Sequence, residues 1–137
     1  MTLRKHDGVA AFTTAALVVA FMAAAPTARA VTSMGSGYWT NPAVWDSGVP
    51  GPGADVTIAG GHTITADVST ADLNSLTANG RLMFSGWNTA ITATTVTVNG
   101  MITNQAQGAA STNESGLWVA DSRVWIVCTT LMVAAGG

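Results

Sequence analysis

From Val56 onward, apolar and polar residues alternate with a period of two, and glycine interrupts the alternation at regular intervals. Val56-Thr57-Ile58-Ala59-Gly60 is followed twenty residues on by Leu76-Thr77-Ala78-Asn79-Gly80, and after twenty more by Val96-Thr97-Val98-Asn99-Gly100. A further short apolar piece follows each copy: Ile64, then Leu82 to Phe84, then Met101-Ile102. The first copy carries two extra residues, Gly61 and His62, and a looser fourth copy runs from Leu131 to Gly136 after an insertion of about fifteen residues. Period-two alternation marks a half-buried strand, and threonine, β-branched and polar, suits its outer face. Glycine, or Asn-Gly, supplies the positive φ that turns a corner. The pattern therefore predicts an all-β chain in which strand, glycine corner and strand recur every twenty residues. That is a β-solenoid, with Val56, Leu76 and Val96 stacked in its core and Leu73 corresponding to Ala93. The alternative is a β-sandwich with evenly spaced hairpins. Past Ala30 no apolar run has helical spacing, and few Glu, Lys, Gln or Arg residues are present to carry a helix.

The residues before Val56 read differently. Arg4, Lys5 and His6 precede an apolar run from Val9 to Ala25, and Pro26 ends any helix there. Ala28-Arg29-Ala30 then places small residues where a signal peptidase accepts them. Residues 1–30 are predicted to be a signal peptide, with Val31 beginning the mature chain and no membrane span left in it. The apolar run has 17 residues, short of the roughly 20 that cross a bilayer. Residues 31–55 form a Trp-, Pro- and Gly-rich segment in which Trp39 and Trp45 plug the first core layer. Residues 56–137 carry the strands, with a polar loop over 105–115. The chain stops at a corner, Ala134-Ala135-Gly136-Gly137, without a following strand or cap. That ending predicts an N-terminal piece of a longer protein, with an open last coil prone to self-association.

Composition narrows the chemistry. Charged residues make up 9 % of the chain. After Ala30 only Arg81 and Arg123 are basic, against six acids, a net charge of −4 with His62 neutral. Two arginines and no lysine cannot neutralise a row of phosphates, which excludes nucleic acid as a partner, and anionic membrane surfaces with it. Cys128 is the only cysteine, so neither an internal disulfide nor a cysteine-based metal site is possible. It reads as a small buried hydrophobe, a partner outside the chain being the alternative. His62 sits at a glycine corner, with Asp55 and Asp67 as the acids of any triad, but no Gly-x-Ser-x-Gly elbow accompanies it. Asp67 and Asp72 lack counterparts at Trp87 and Thr92, so no calcium-binding repeat is formed. No catalytic residue, metal site or cofactor is expected.

Trp45, Gly48-Val49-Pro50, Gly53, Asp55-Val56-Thr57-Ile58, Thr63-Ile64-Thr65 and Asp67 together resemble the opening of the extracellular domain named for its eight glycines. Similar openings occur in large bacterial surface proteins built on right-handed β-helices of the pectin-lyase type. The resemblance covers about residues 38–104. It implies an extracellular, surface-associated protein with adhesive or glycan-related roles, and no catalytic residues are carried over with it. The expected function is that of a secreted or surface-displayed structural or adhesive module. One alternative is a carbohydrate-binding module that stacks extracellular polysaccharide or cell-surface glycan on Trp39, Trp45 or Trp87. Another is the leading segment of a polysaccharide-degrading β-helix enzyme.

Overall fold

The structure, a computed structural model, describes residues 28–106, 112–117, 119 and 121–135. The stretch read as the body of the signal peptide, residues 1–27, lies outside them, as does part of the predicted loop. The fold is all-β. Nine strands follow one another among the described residues: β1 (Ala30–Thr32), β2 (Gly37–Tyr38), β3 (Asp55–Ile58), β4 (Thr63–Ala66), β5 (Leu73–Ala78), β6 (Arg81–Phe84), β7 (Ile91–Val98), β8 (Met101–Asn104) and β9 (Ile126–Val133). One 3₁₀ turn, Pro42–Val44, lies between β2 and β3, and the Asn41 side chain caps it by accepting from the Ala43 N–H at 3.0 Å.

Successive strands do not pair with each other. Odd-numbered strands form a five-stranded sheet in the order β1-β3-β5-β7-β9, and even-numbered strands form a four-stranded sheet in the order β2-β4-β6-β8. Every strand pairing is parallel. A sandwich of hairpins requires antiparallel neighbours, and among the described residues the single antiparallel contact is the isolated bridge between Ser33 and Trp45.

Residues at equivalent positions of the repeat pair in space, twenty apart between β3, β5 and β7 and further apart at either end. Val56 lies opposite Leu76, Leu76 opposite Val96, and Val96 opposite Leu131. Val31 lies opposite Val56. The strand segment therefore begins at Ala30 rather than at Val56, and the Trp- and Pro-rich stretch contributes the first strand of each sheet. In the second sheet Ile64 faces Leu82, and Leu82 faces Ile102. Like residues thus stack on like, and one core is formed: Val31, Val56, Ile58, Ile64, Leu76, Leu82, Phe84, Ile91 and Val96 are all buried.

The alternation slips once in each long strand. In β7, Ile91 and Ala93 point inward, Thr94 and Thr95 do not, and Val96 and Val98 point inward again. β5 does the same around Asn74 and Ser75. The ladder pairs Leu73 with Ala93 and Ser75 with Thr95 but passes over Asn74 and Thr94. Two consecutive outward residues change which face the strand buries, so each long strand bends around the core at a shared position.

The first corner turns as the sequence suggests, with Gly61 at a φ of 83°, but the next two have a different origin. Gly80 and Gly100 do not adopt positive φ, which among the described residues is found at Gly48, Gly53, Gly61 and Gly116. A Cβ on Gly80 would stand 2.4 Å from the carbonyl oxygens of both Ala59 and His62. A Cβ on Gly100 would stand 2.2 Å from the Gly80 oxygen and 2.5 Å from that of Asn79. Each corner rests directly on the backbone of the one before it, and only hydrogen fits between. Asn79 and Asn99 reinforce the contact through a side-chain hydrogen bond of 2.8 Å, Asn99 donating.

The two ends of the stack differ. At the first, Trp39 and Trp45 pack edge to face with centroids 5.0 Å apart, and the Trp45 indole N–H donates to the Trp39 carbonyl at 2.9 Å. At the other, β9 leaves Val127, Leu131, Met132 and Val133 exposed.

Candidate functional site

Three tryptophans are candidates for stacking a sugar, and the fold separates them. Trp39 is 1 % exposed and Trp45 2 %. Their rings belong to the core, so neither offers the open face that a pyranose needs, and as glycan platforms these two are corrected. Trp87 differs. It lies in the turn between β6 and β7 and is 44 % exposed.

Trp87 is joined by two residues that the sequence reading passed over. The Arg123 guanidinium carbon sits 4.6 Å from the centroid of the Trp87 ring and 3.9 Å from that of Trp125. Trp125 is 42 % exposed. The cation is thus held against two indoles by attraction to their π-faces. Its Nε is buried without a hydrogen-bond partner. Local bonds fix the geometry: the Ile91 N–H donates to the Trp125 carbonyl at 3.0 Å, and the Ser122 hydroxyl donates to the Gln105 carbonyl at 3.0 Å. The result is a surface ledge of two half-open indoles around one positive charge. Indoles present a flat, apolar face with a polar N–H, the combination that suits a sugar ring.

The other polar candidates serve the fold. His62 Nδ1 lies 2.9 Å from the Ser33 hydroxyl oxygen, which also accepts from the Ala59 N–H at 2.9 Å. Ser33 is 3 % exposed, a poor position for a nucleophile. The acids named for a triad are engaged elsewhere. Asp55 accepts from the Asn74 amide at 2.7 Å and the Ser75 hydroxyl at 2.6 Å, and Asp67 accepts from the backbone and hydroxyl of Thr40. Asp46 accepts from the Thr32 N–H at 3.0 Å. That bond, with help from the Ser47 hydroxyl, holds its carboxyl below the ordinary carboxylate range.

Among the described residues, no three His, Cys, Asp or Glu side chains gather as a metal site would require. Cys128 is half-buried on β9, opposite Ala93, and packs against the core. Ala28 and Ala30, the residues read as flanking a cleavage site, are exposed, and Ala30 is the first residue of β1. No helix among the described residues is long and apolar enough to cross a membrane.

The strand order and the buried core define an all-β protein of two parallel sheets. The G8 domain family model matches residues 44–113, and the chain belongs to that family of extracellular domains. The matched stretch runs from the 3₁₀ turn past β8 and overlaps the residues on which the extracellular resemblance was read. No characterised protein and no solved structure gave a significant match.

Proposed function

We propose that the chain is exported and forms a structural, non-catalytic part of a larger secreted or surface-displayed protein. In this reading its strands are coils of a β-solenoid of the right-handed β-helix type, with Trp39 and Trp45 as the cap over the first coil. The observation that carries it is the register: Val31, Val56, Leu76, Val96 and Leu131 occupy paired positions on five parallel strands. A stack of that kind makes a stiff spacer from few charges and little chemistry. The membership in an extracellular domain family supports export. Export is tested by expressing the full-length chain and sequencing the N-terminus of the protein recovered outside the cytoplasm. Val31 as the first residue supports the reading, and retention inside the cell with Met1 intact refutes it.

A second reading, glycan binding, is favoured by the ledge of Trp87, Arg123 and Trp125. A sugar ring stacks on an open aromatic face, and indoles already packed against Arg123 lose little entropy on binding. Fluorescence titration with a panel of soluble polysaccharides tests it. A saturable change that Trp87→Ala abolishes supports this reading, and no change with any glycan removes it.

A further inference from the structure

The same close stacking that forces glycine at the corners also strips side chains from the surface there. An open groove of about 480 Å³ runs across the corners that join β3 to β4, β5 to β6 and β7 to β8. Its floor is the bare backbone of Gly61, Gly80 and Gly100, and its walls are His62, Thr63, Asn79, Arg81 and Met101. It lies away from the Trp87 ledge, which sits on the turns that lead from one layer to the next.

The groove is polar and carries no acid. No carboxylate lines it, in a chain whose acids outnumber its bases threefold after Ala30. Among the described residues no hydrogen bond or ion pair engages the Arg81 guanidinium. Asn79 accepts from Asn99 through its oxygen, which leaves its amide N–H groups to donate outward. The His62 ring is held on the groove wall by the bond between its Nδ1 and the Ser33 hydroxyl. Arg81, Asn79 and Thr63 thus supply hydrogen-bond donors to one glycine-floored recess.

We propose that this groove binds an oxyanion of the carboxylate, sulfate or phosphate kind, with Arg81 as its principal ligand. The guanidinium fork matches two oxygens of such a group, and charge-assisted bonds are the stronger class of hydrogen bond. Because the site is open to water, the dissociation constant for a small anion is on the order of 1 mM.

The test is a titration of the ¹⁵N-labelled protein followed by amide chemical shifts, with sodium sulfate, sodium glucuronate and neutral glucose at constant ionic strength. Saturable shifts at Gly80, Arg81 and Gly100 with either anion, and none with glucose, are expected. Sulfate alone would assign a tetrahedral anion, and glucuronate alone would assign a carboxylated sugar. Arg81→Gln should weaken binding about tenfold, while Arg81→Lys, which keeps the charge but loses the fork, should fall between. Arg81 is exposed, so both variants keep the fold. No saturable shift with either anion, equal shifts with glucose, or unchanged binding in Arg81→Gln would overturn the proposal.

Discussion

Replacing Gly100 by alanine isolates the physical basis of the stack. The added Cβ would lie 2.2 Å from the Gly80 oxygen, 2.5 Å from the Asn79 oxygen and 2.8 Å from the Asn79 carbonyl carbon. All three are backbone atoms, so no side chain can swing aside. Real Cβ atoms essentially never approach closer than 3.0 Å, so the two corners must separate by about 0.8 Å. Three backbone bonds hold them together: Asn99 N–H to the Ala78 carbonyl at 2.9 Å, Gly100 N–H to the same carbonyl at 2.8 Å, and Met101 N–H to the Gly80 carbonyl at 3.0 Å. Stretched by that amount, these pass beyond useful hydrogen-bond length. Losing two or three of them at about 0.5–1.5 kcal/mol each places the loss at about 1–4 kcal/mol. Urea denaturation followed by tryptophan fluorescence reads it as a lower midpoint. Gly60→Ala is the control, since a Cβ there meets nothing within 4 Å and its φ is not positive. It should shift stability by less than about 0.5 kcal/mol. Gly100→Asn separates steric crowding from backbone conformation. Asparagine tolerates positive φ, so a conformational requirement would spare it, whereas crowding makes it as damaging as alanine. A Gly100→Ala protein within about 0.5 kcal/mol of the parent would refute the close-stacking account.

Other outcomes follow from the same geometry. Leu76 is fully buried between Val56 and Val96, so Leu76→Ala should lose about 2–5 kcal/mol in the same denaturation assay. The Asp46 carboxyl has a pKa lowered from 3.8, chiefly by the Thr32 N–H, so its stabilisation is present above about pH 4 and is lost as pH falls through the lowered folded value. Asp46→Asn should therefore unfold earlier than the parent at neutral pH, and the two should converge under strong acid in thermal melts monitored by circular dichroism. The β9 edge spans eight residues from Ile126 to Val133 without a charge, and its Leu131 is 51 % exposed. Self-association through that edge should be visible by light scattering and suppressed by Leu131→Lys, since charge on an edge strand opposes pairing.

Much of the architecture was legible because the chain repeats its own chemistry. Val56, Leu76, Val96 and Leu131 share a position in the sequence pattern and also in the ladder. The correspondence of Leu73 with Ala93 held as well, three residues before the next inward position. That odd spacing marks the bend at Asn74 and Thr94, which an even period cannot express. β1 and β2 escaped notice because strands of three and two residues carry no readable alternation. Their pairing comes from the layer beneath them.

The corner glycines were found by spacing, but positive φ accounts for only one of the three corners, at Gly61. Sequence marks a glycine without revealing whether φ or contact demands it, and for Gly80 and Gly100 the demand is contact with the preceding corner. The aromatic ledge was half legible. Trp87 stood out for breaking the alternation, whereas Arg123 and Trp125 meet it only because Trp125 precedes β9 and β9 pairs with β7. Trp39 and Trp45 were legible from position: aromatic rings placed before the first repeat read as a plug on the core, and their burial agrees with that reading over the alternative of glycan stacking.

The parallel stacking of β3, β5 and β7 is the central claim, and nuclear Overhauser contacts test it most directly. In-register parallel pairing places Thr57 beside Thr77 and Thr77 beside Thr97. Cross-strand backbone contacts between those threonines, and between Ile64 and Leu82 in the second sheet, are predicted. Contacts that instead pair Asp55–Ile58 with Thr63–Ala66 as an antiparallel hairpin would contradict the fold and the function proposed from it.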